Sequence, residues 1–231
     1  MTVAPTPSLL APVDPSIRHR ITFATARSLA YISVLELGAL WERSLRRAGV
    51  SVRYSQGYNP RPKLVFAAPL LVGCGSRADL LDVWLDPDAG GPRPASETMT
   101  ALAGKTPRDL KVLDVTGVSR NEPSLPKQLV QSEYRVWVRD ADRDRLAAGI
   151  AALLAAESVI RVRREKEYDL RPLVQDLRLE PAAPIGQPLW MRLKARPGAT
   201  GRPDEVLKAL WVIDHPWRCA RVRMILNDPL T

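Results

Sequence analysis

The segment EYRVWVR (133–139), followed by DRDRLAAGIAALLAAE (142–157), shows the clearest structural pattern in the C-terminal half. In the first segment, charged and apolar residues alternate with a period of two, which predicts a β-strand with one buried face. In the second segment, apolar residues recur at helical spacing, at Leu146, Ile150, Leu153 and Leu154. The two segments therefore predict a strand that leads into an amphipathic helix.

The same pattern of elements extends outward from this stretch in both directions. Downstream, it predicts strands at 159–164, 189–196 and 219–226 and a helix over 203–211, with an insert at 165–188. Upstream, it predicts strands at 19–25, 63–68, 80–86 and 110–118 and helices over 31–48 and 96–104. Both halves have the order β-α-β-β-α-β, which predicts an α+β protein of two tandem ferredoxin-like units. The predicted parts are a disordered arm (1–17), a first unit (18–118), a linker (119–131) and a second unit (132–231).

Net charge gives the first indication of function. The chain has 231 residues and a net charge of +9, and arginine outnumbers lysine by 27 to 7. Arginine suits phosphate recognition because its planar guanidinium group forms paired hydrogen bonds with phosphate oxygens. A GC-rich genome, which favours arginine codons, is the alternative explanation of this ratio, and composition does not separate the two.

The predicted strands of the second unit have two contrasting faces. One face is apolar and is expected to pack against the helices. The other face consists of Arg135, Trp137, Arg139, Arg161, Arg163, Trp190, Arg192, Lys194, Arg196, Arg221 and Arg223. Like charges on neighbouring strands repel each other, so this arrangement lowers stability unless something negative covers it.

Three interpretations of this second face stay open. It is a site for single-stranded nucleic acid, where Trp137 and Trp190 stack on bases and the arginines contact phosphates. Alternatively, it packs against an acidic surface of the first unit that carries Asp82, Trp84 and Asp86. The third interpretation is a solvated basic face with no role. The sequence does not contain the basic–glycine–aromatic motif of an RRM domain.

A second candidate site is the segment RYSQGYNPRPK (53–63). Its two prolines stiffen the backbone, and Gly57 permits a turn or a close approach. Its candidate binding residues are Arg53, Tyr54, Gln56, Tyr58, Asn59, Arg61 and Lys63. A rigid loop with these side chains suits recognition of phosphate, bases or peptide. The alternative is a loop that folds inward, with its tyrosine rings filling the edge of the core.

The sequence gives little support for metal, disulfide or catalytic chemistry. Its only histidines are His19 and His215, and its two cysteines, Cys74 and Cys219, lie far apart in the chain. This set predicts no metal site, no cofactor, no disulfide and no catalytic residue. The sequence contains no run of 18 apolar residues that would predict a membrane span, and no secretory signal is recognised. These two observations predict a cytoplasmic protein.

Several segments resemble a bacterial family of radical-SAM-linked proteins. The most specific similarity is YSQGYNP (54–60), within a longer similar stretch over 45–73. The segments DLRP (169–172) and GRPDEVL (201–207) are similar to the later motifs of that family. The resemblance implies a radical SAM protein as partner, and Arg171, in the first of these two motifs, is a further candidate binding residue.

The chain departs from this family at two positions. Where the family usually has Ser-His-Leu-Asp, this chain has Ser-Val-Leu-Glu at 33–36, and Arg61 stands between two prolines in place of a histidine. Arginine is an adequate substitute for histidine in anion binding but not in acid–base chemistry. These departures favour a binding role over a catalytic one.

The leading hypothesis is therefore a non-catalytic accessory protein that binds RNA, with tRNA as one candidate, and presents it to a radical SAM enzyme. The second hypothesis is a protein-interaction scaffold that binds no nucleic acid. The third is an RNA-modifying or RNA-cleaving enzyme, which rests on fold analogy alone. Contact of Trp84 with Trp137 or Trp190 would favour the second hypothesis over the first.

Overall fold

The computed structural model describes residues 17–227, so the predicted arm lies outside the described residues except for its last position. The strands are β1 (Ile17–Thr25), β2 (Leu64–Phe66), β3 (Cys74–Leu85), β4 (Leu110–Val118), β5 (Leu129–Val138), β6 (Ile160–Arg163), β7 (Lys166–Asp169), β8 (Val174–Leu179), β9 (Gln187–Arg196), β10 (Ala199–Thr200) and β11 (Trp217–Leu226). The α-helices are α1 (Val34–Arg47), α2 (Ala95–Leu102), α3 (Leu125–Gln128), α4 (Arg143–Ala155) and α5 (Pro203–Ala209). Short 3-10 turns cover Arg27–Tyr31 and Arg171–Leu173.

One large sheet runs through both halves of the chain. Its spatial order is β10-β9-β5-β11-β3-β1-β4, with β2 also paired to β3 and β8 also paired to β9. The strands pair antiparallel except for β11 and β3, which run parallel and join the two halves. The predicted α+β class is therefore confirmed. The division into two tandem ferredoxin-like units stays a prediction, because the strands of both halves form a continuous sheet.

Local sequence explains where α1 begins and ends. The hydroxyl oxygen of Ser33 accepts a hydrogen bond from the backbone N–H of Glu36 at 3.2 Å, and the Glu36 carboxylate accepts from the N–H of Ser33 at 2.7 Å. These bonds form a capping box, and they hold the pKa of Glu36 below its usual value. After the helix, Gly49 has φ +65°, a left-handed conformation that glycine adopts without strain.

Two hydrophobic clusters lie on the same face of the sheet. In the first half, Trp41 of α1 packs edge-to-face against Phe23, with ring centroids 5.2 Å apart. In the second half, α4 and α5 cover the sheet, and Val136 and Val206 are fully buried. The β1–β3 pairing shifts register between Phe23 and Thr25, so the covered side of β3 continues into the covered side of β11.

The strand predicted at 159–164 does not join the large sheet. Its residues form β6, which pairs with β7 in a separate two-stranded hairpin. Ile160 and Val162, predicted to be in the core, are 60 % and 64 % exposed. The place beside β9 is taken by β8, whose Val174 and Leu177 are buried. The prediction is wrong here because residues 160–163 alternate strictly, whereas a register shift between Val174 and Asp176 interrupts the alternation of β8. Periodicity therefore favours the segment that does not pair with β9.

The two cysteines, which are distant in sequence, become neighbours in the fold. Cys74 and Cys219 lie directly opposite each other in the parallel pairing of β3 and β11, and both are buried free thiols. Burial, together with the adjacent Cys74, raises the pKa of Cys219. A thiol with a raised pKa stays protonated and unreactive at neutral pH. The pair therefore forms part of the core that joins the two halves.

Candidate nucleic-acid interface

The sheet face opposite the helices carries much of the predicted cationic surface. We call the part of it formed by β5, β8, β9 and β11 the basic sheet face. Its side chains are Arg135, Trp137, Arg178, Trp190, Arg192, Lys194, Arg196, Arg218 and Arg223, together with Glu133 and Asp176. Two of its arginines, Arg178 and Arg218, lie outside the strands that the sequence predicts, so sequence reasoning missed them.

Carboxylates on and beside this face offset part of its charge. Arg192 donates to Glu133 at 2.9 Å, and an ion pair joins Arg135 to Glu180 at 2.7 Å. Glu180 follows β8 and lies within residues 165–188, which the sequence pattern predicts to be an insert. The repulsion expected among the cations is therefore partly relieved within the second half itself.

Trp190 is covered by its neighbours rather than open to solvent. Its residue surface is only 7 % exposed. The guanidinium groups of Arg178 and Arg192 lie 4.0 Å and 5.2 Å from its ring centroid, at cation–π distances. Stacking of a base on Trp190 would therefore require Arg178 to move.

Arg221 is the clearest departure from the predicted face. The β5–β11 pairing shifts register between Arg221 and Arg223, so the two side chains lie on opposite faces of the sheet. Arg221 is 1 % exposed and donates from Nε and Nη2 to the carboxylate oxygens of Asp79 at 2.7 Å and 2.6 Å. It also donates to the carbonyl groups of Ala68 and Pro69. Its placement on the basic face is therefore wrong, and its contacts tie β11 to the first half.

The acidic surface of the first half is occupied by first-half cations. Arg18 and Arg20 of β1 both donate to the fully buried carboxylate of Asp82, at 2.5–3.1 Å. The charged groups of Arg18 and Lys63 lie 5.3 Å and 4.8 Å from the ring centroid of Trp84. These contacts argue against the interpretation in which Asp82 and Trp84 pair with the basic face of the second half.

Three other predicted binding residues lie away from the basic sheet face. Arg161 and Arg163 belong to the separate β6–β7 hairpin. Arg171 donates to the carbonyl oxygen of Leu154 at 3.0 Å and 3.2 Å and to that of Val174 at 2.9 Å. Arg171 thus satisfies a carbonyl group in the last turn of α4 and fixes that helix to β8.

The segment 53–63 forms a loop, the tyrosine loop, that is held at its base by backbone hydrogen bonds. The N–H of Arg53 donates to the carbonyl of Trp84 at 2.8 Å, and the N–H of Trp84 donates to that of Lys63 at 3.2 Å. The hydroxyl of Tyr54 donates to Glu42 of α1 at 2.8 Å, and this bond raises the pKa of Tyr54. The base of the loop is therefore fixed to both β3 and α1.

The tip of the tyrosine loop is open to solvent. Gln56, Asn59 and Arg61 are exposed, and Tyr58 is 100 % exposed, so its ring does not fill the core. The loop is bonded to the end of β3 at Trp84. Along β3, Trp84 is nine positions from Gly75, a distance of about 30 Å at roughly 3.3 Å per residue.

A cleft of about 520 Å³ opens beside Gly75, where β3, β5 and β11 meet. Tyr31, Trp137 and Trp217 give it aromatic walls. Its cations come from three separate segments of the chain and are Arg77, Arg139 and Arg218. We call this feature the arginine cleft. It lies at the junction of the two halves, and the structure does not bring the tyrosine loop into the same site.

The three arginines of the cleft are exposed. Within residues 17–227, the guanidinium groups of Arg77, Arg139 and Arg218 make no hydrogen bond or ion pair. Their positive charge is therefore available to a ligand, unlike that of arginines bonded to carboxylates. Sequence reasoning identified Trp137 and Arg139. It missed Tyr31, Arg77 and Arg218, because a period of two within one unit does not reveal what the other half contributes.

A second cavity, of about 610 Å³, lies between the β6–β7 hairpin and the start of α5. We call it the hairpin cavity. Its lining residues include Arg163, Arg164, Lys166, Tyr168, Asp169, Thr200, Arg202 and Glu205. The hydroxyl of Tyr168 donates to the buried carboxylate of Glu205 at 2.8 Å. The two later segments of the family resemblance, 169–172 and 201–207, meet at this cavity.

Metal binding and membrane insertion find no structural support in the described residues. Between positions 17 and 227, no three histidine, cysteine, aspartate or glutamate side chains converge as a metal site would require. The helices of this same range are too short or too polar to cross a bilayer.

Residues 18–203 match a family described as an uncharacterized protein conserved in bacteria (DUF2344). The chain belongs to this family. The match includes both halves and covers Trp137 and Arg139 of the arginine cleft, but it ends before Arg218. The family description names no radical SAM protein, so that association stays a prediction. No curated protein matches the chain.

Solved structures provide distant likenesses. A chain in the crystal structure of a Cbf5-Nop10-Gar1 complex is 9 % identical with a TM-score of 0.48, covering 91 % of this chain and 50 % of that chain. A chain in an H/ACA RNP bound to a substrate RNA containing 2'-deoxyuridine is 9 % identical with a TM-score of 0.43, covering 90 % and 49 %. A putative glycine cleavage system transcriptional repressor is 11 % identical with a TM-score of 0.25, covering 93 % and 100 %. This chain spans about half the length of the first two, and at these TM-scores none carries a functional argument.

Proposed function

We propose that the protein binds single-stranded RNA in the arginine cleft and presents it to a partner enzyme. The observation that carries this proposal is the convergence of three guanidinium groups, which have no partner among the described residues, with the partly exposed side chain of Trp137. Guanidinium groups bind phosphate oxygens in pairs, and aromatic rings stack on unpaired bases. The volume of the cleft, about 520 Å³, lies within the usual range of small-ligand sites and accommodates a nucleotide.

The basic sheet face supports contact with the strand beyond the cleft. Arg218 pairs across the strands with Trp137, and Arg135 pairs with Trp190 in the next pair of strands. These side chains lead from the cleft toward Lys194. Because this path is cationic, RNA binding is expected to weaken steeply as salt rises.

A radical SAM enzyme is the partner that we propose, on the basis of the family resemblance over 45–73. The tyrosine loop lies within that stretch and about 30 Å from the arginine cleft along β3. This distance would leave Tyr58 and Arg61 free to contact a partner protein while RNA occupies the cleft.

The proposal of two tandem ferredoxin-like units draws support from the strand order. In the first half the order is β4-β1-β3-β2, and in the second half it is β11-β5-β9-β8. The two orders are equivalent if β8, rather than β6, is the second strand of the second unit. Two equivalent units would place the arginine cleft at their junction.

Replacing Trp137 with alanine is expected to weaken binding of a single-stranded RNA about tenfold, because one stacked base contributes about 1–3 kcal/mol. W137F keeps an aromatic face and is expected to retain most of the affinity. Fluorescence anisotropy with labelled oligonucleotides measures both, and thermal melting checks that the variants fold. Wild-type affinity in a folded W137A protein would contradict stacking in the cleft.

Purification of the native protein from its own cells, with and without RNase, tests the presenting role. We expect RNA that cross-links directly to the second half, together with a radical SAM protein. Recovery of the same partner after RNase, with no RNA above background, would favour the scaffold function instead. Exposed apolar side chains at the cleft are the observation that supports this second candidate. Tyr31, which lines the cleft, and Val72, which adjoins the lining residue Gly73, are 67 % and 63 % exposed.

A further inference from the structure

The β6–β7 hairpin places its cations and Tyr168 on the inner face, toward the hairpin cavity, and places Ile160, Val162 and Glu167 on the outer face. Ile160 and Val162 are more than half exposed on its outer face. Arg163, Lys166 and Tyr168, on its inner face, line the hairpin cavity. A hairpin held only by burial of apolar surface would have the reverse orientation. Its orientation therefore calls for an electrostatic reason.

The inner face of this hairpin concentrates positive charge. Arg163 and Lys166 lie directly opposite each other, and Arg164 adjoins them in the turn. Among the described residues, none of these three side chains makes a hydrogen bond or ion pair. The Nε of Arg161 is also buried without a hydrogen-bond partner there. Like charges that face each other destabilise a hairpin, so an anion between them would stabilise it.

Among the described residues, the carboxylates that line the cavity form no ion pair with Arg163, Arg164 or Lys166. Glu205 accepts from the hydroxyl of Tyr168 at one oxygen and from Lys208 at the other, both at 2.8 Å. Asp169 accepts from backbone N–H groups of Val159 and Arg171, at 2.8 Å and 3.0 Å. Burial, reinforced by the bond to Glu205, raises the pKa of Tyr168, so its hydroxyl stays protonated. The negative groups are therefore committed to structural bonds.

We propose that the hairpin cavity binds a phosphate monoester carried by a nucleotide-sized ligand. Three cations that converge from one hairpin match the doubly charged phosphate of a monoester better than a singly charged carboxylate. The volume, about 610 Å³, accommodates a nucleoside attached to that phosphate. A free nucleotide and the phosphorylated end of an RNA strand share this chemistry. This site is separate from the arginine cleft and does not depend on RNA binding there.

Calorimetric titration of the full-length protein with AMP and with adenosine tests the proposal. We expect AMP to bind at least tenfold more tightly than adenosine. The double variant R163Q/K166Q is expected to lose about tenfold or more of the AMP affinity. A matched control, K111Q/R145Q, removes the same charge from exposed positions that do not line the cavity and is expected to bind AMP normally. Because the substituted side chains are exposed, both variants are expected to keep the wild-type melting temperature.

Two RNA oligonucleotides that differ only in a 5′-phosphate distinguish the sources of the phosphate. If phosphorylation tightens binding to the wild type but not to R163Q/K166Q, the ligand is an RNA end. If AMP binds but the 5′-phosphate does not increase the affinity of the oligonucleotide, the ligand is a free nucleotide. Equal binding of AMP and adenosine, or equal loss of AMP affinity in the control variant, would overturn the proposal. AMP affinity that falls in W137A but not in R163Q/K166Q would place the nucleotide in the arginine cleft and overturn the proposal. Loss of AMP affinity in R163Q/K166Q but not in W137A supports the hairpin cavity even if the arginine cleft binds no RNA.

Discussion

Replacing Arg221 with methionine is expected to lower the free energy of unfolding by about 3–5 kcal/mol, because it leaves the Asp79 carboxylate buried without its partner. Asp79 is 4 % exposed and accepts two hydrogen bonds from Arg221. The carbonyl groups of Ala68 and Pro69 lose donors in the same variant. For a protein of this size, the change corresponds to a fall in Tm of roughly 10 °C. Urea denaturation followed by tryptophan fluorescence measures the loss.

A double variant separates the buried charge from the packing of the side chain. R221M/D79L removes both ions, and its stability is expected to lie closer to the wild type than that of R221M, since no charge stays buried alone. As a surface comparison, R93M breaks the more exposed Arg93–Asp88 pair and is expected to cost about 1 kcal/mol or less. A loss in R221M no larger than that in R93M would show that the pair contributes little to joining β11 and β3.

The fold was predictable wherever local periodicity determines structure. Alternation over 133–139 and helical spacing over 142–157 correspond to β5 and α4, and the α+β class follows from the number and order of such segments. The choice of β8 over β6 as the neighbour of β9 was not predictable in this way. Periodicity favours β6, because the register shift between Val174 and Asp176 interrupts the alternation of β8. The choice depends instead on which apolar set, Val174 and Leu177 or Ile160 and Val162, packs under α4 and α5.

Pairing irregularities explain why the predicted basic face was only partly right. A strict period of two places Arg221 beside Arg223 on one face, but the register shift between them moves Arg221 into the core. The guanidinium group then satisfies Asp79 of the other half. A local pattern does not reveal such a partner, because Arg221 and Asp79 are 142 positions apart.

The arginine cleft illustrates the same limit for the candidate site. Trp137 and Arg139 are adjacent in the sequence pattern of β5 and were predicted together. Arg77 reaches the cleft only because β3 and β11 pair in parallel. An alternative pairing of the two halves would have left it on a remote surface. The set of residues that lines the cleft therefore depends on the pairing of β3 with β11. Because the Arg221–Asp79 pair stabilises that pairing, it also supports the formation of the cleft.

The triple variant R77Q/R139Q/R218Q is expected to lower RNA affinity by at least a hundredfold at low salt, since three charge-assisted contacts to phosphate are lost. When the logarithm of the association constant is plotted against the logarithm of the salt concentration, the magnitude of the slope is also expected to fall by about 2. Each of the three lost phosphate contacts to a single strand contributes about 0.7 to that slope. The change in slope distinguishes phosphate contacts in the arginine cleft from nonspecific attraction of RNA to a protein of net charge +9. R43Q/R108Q/R120Q is the matched control, because it removes the same charge from exposed positions outside the cleft. Equal changes of slope in the two triple variants would mean that RNA is held by overall charge and not by the arginine cleft.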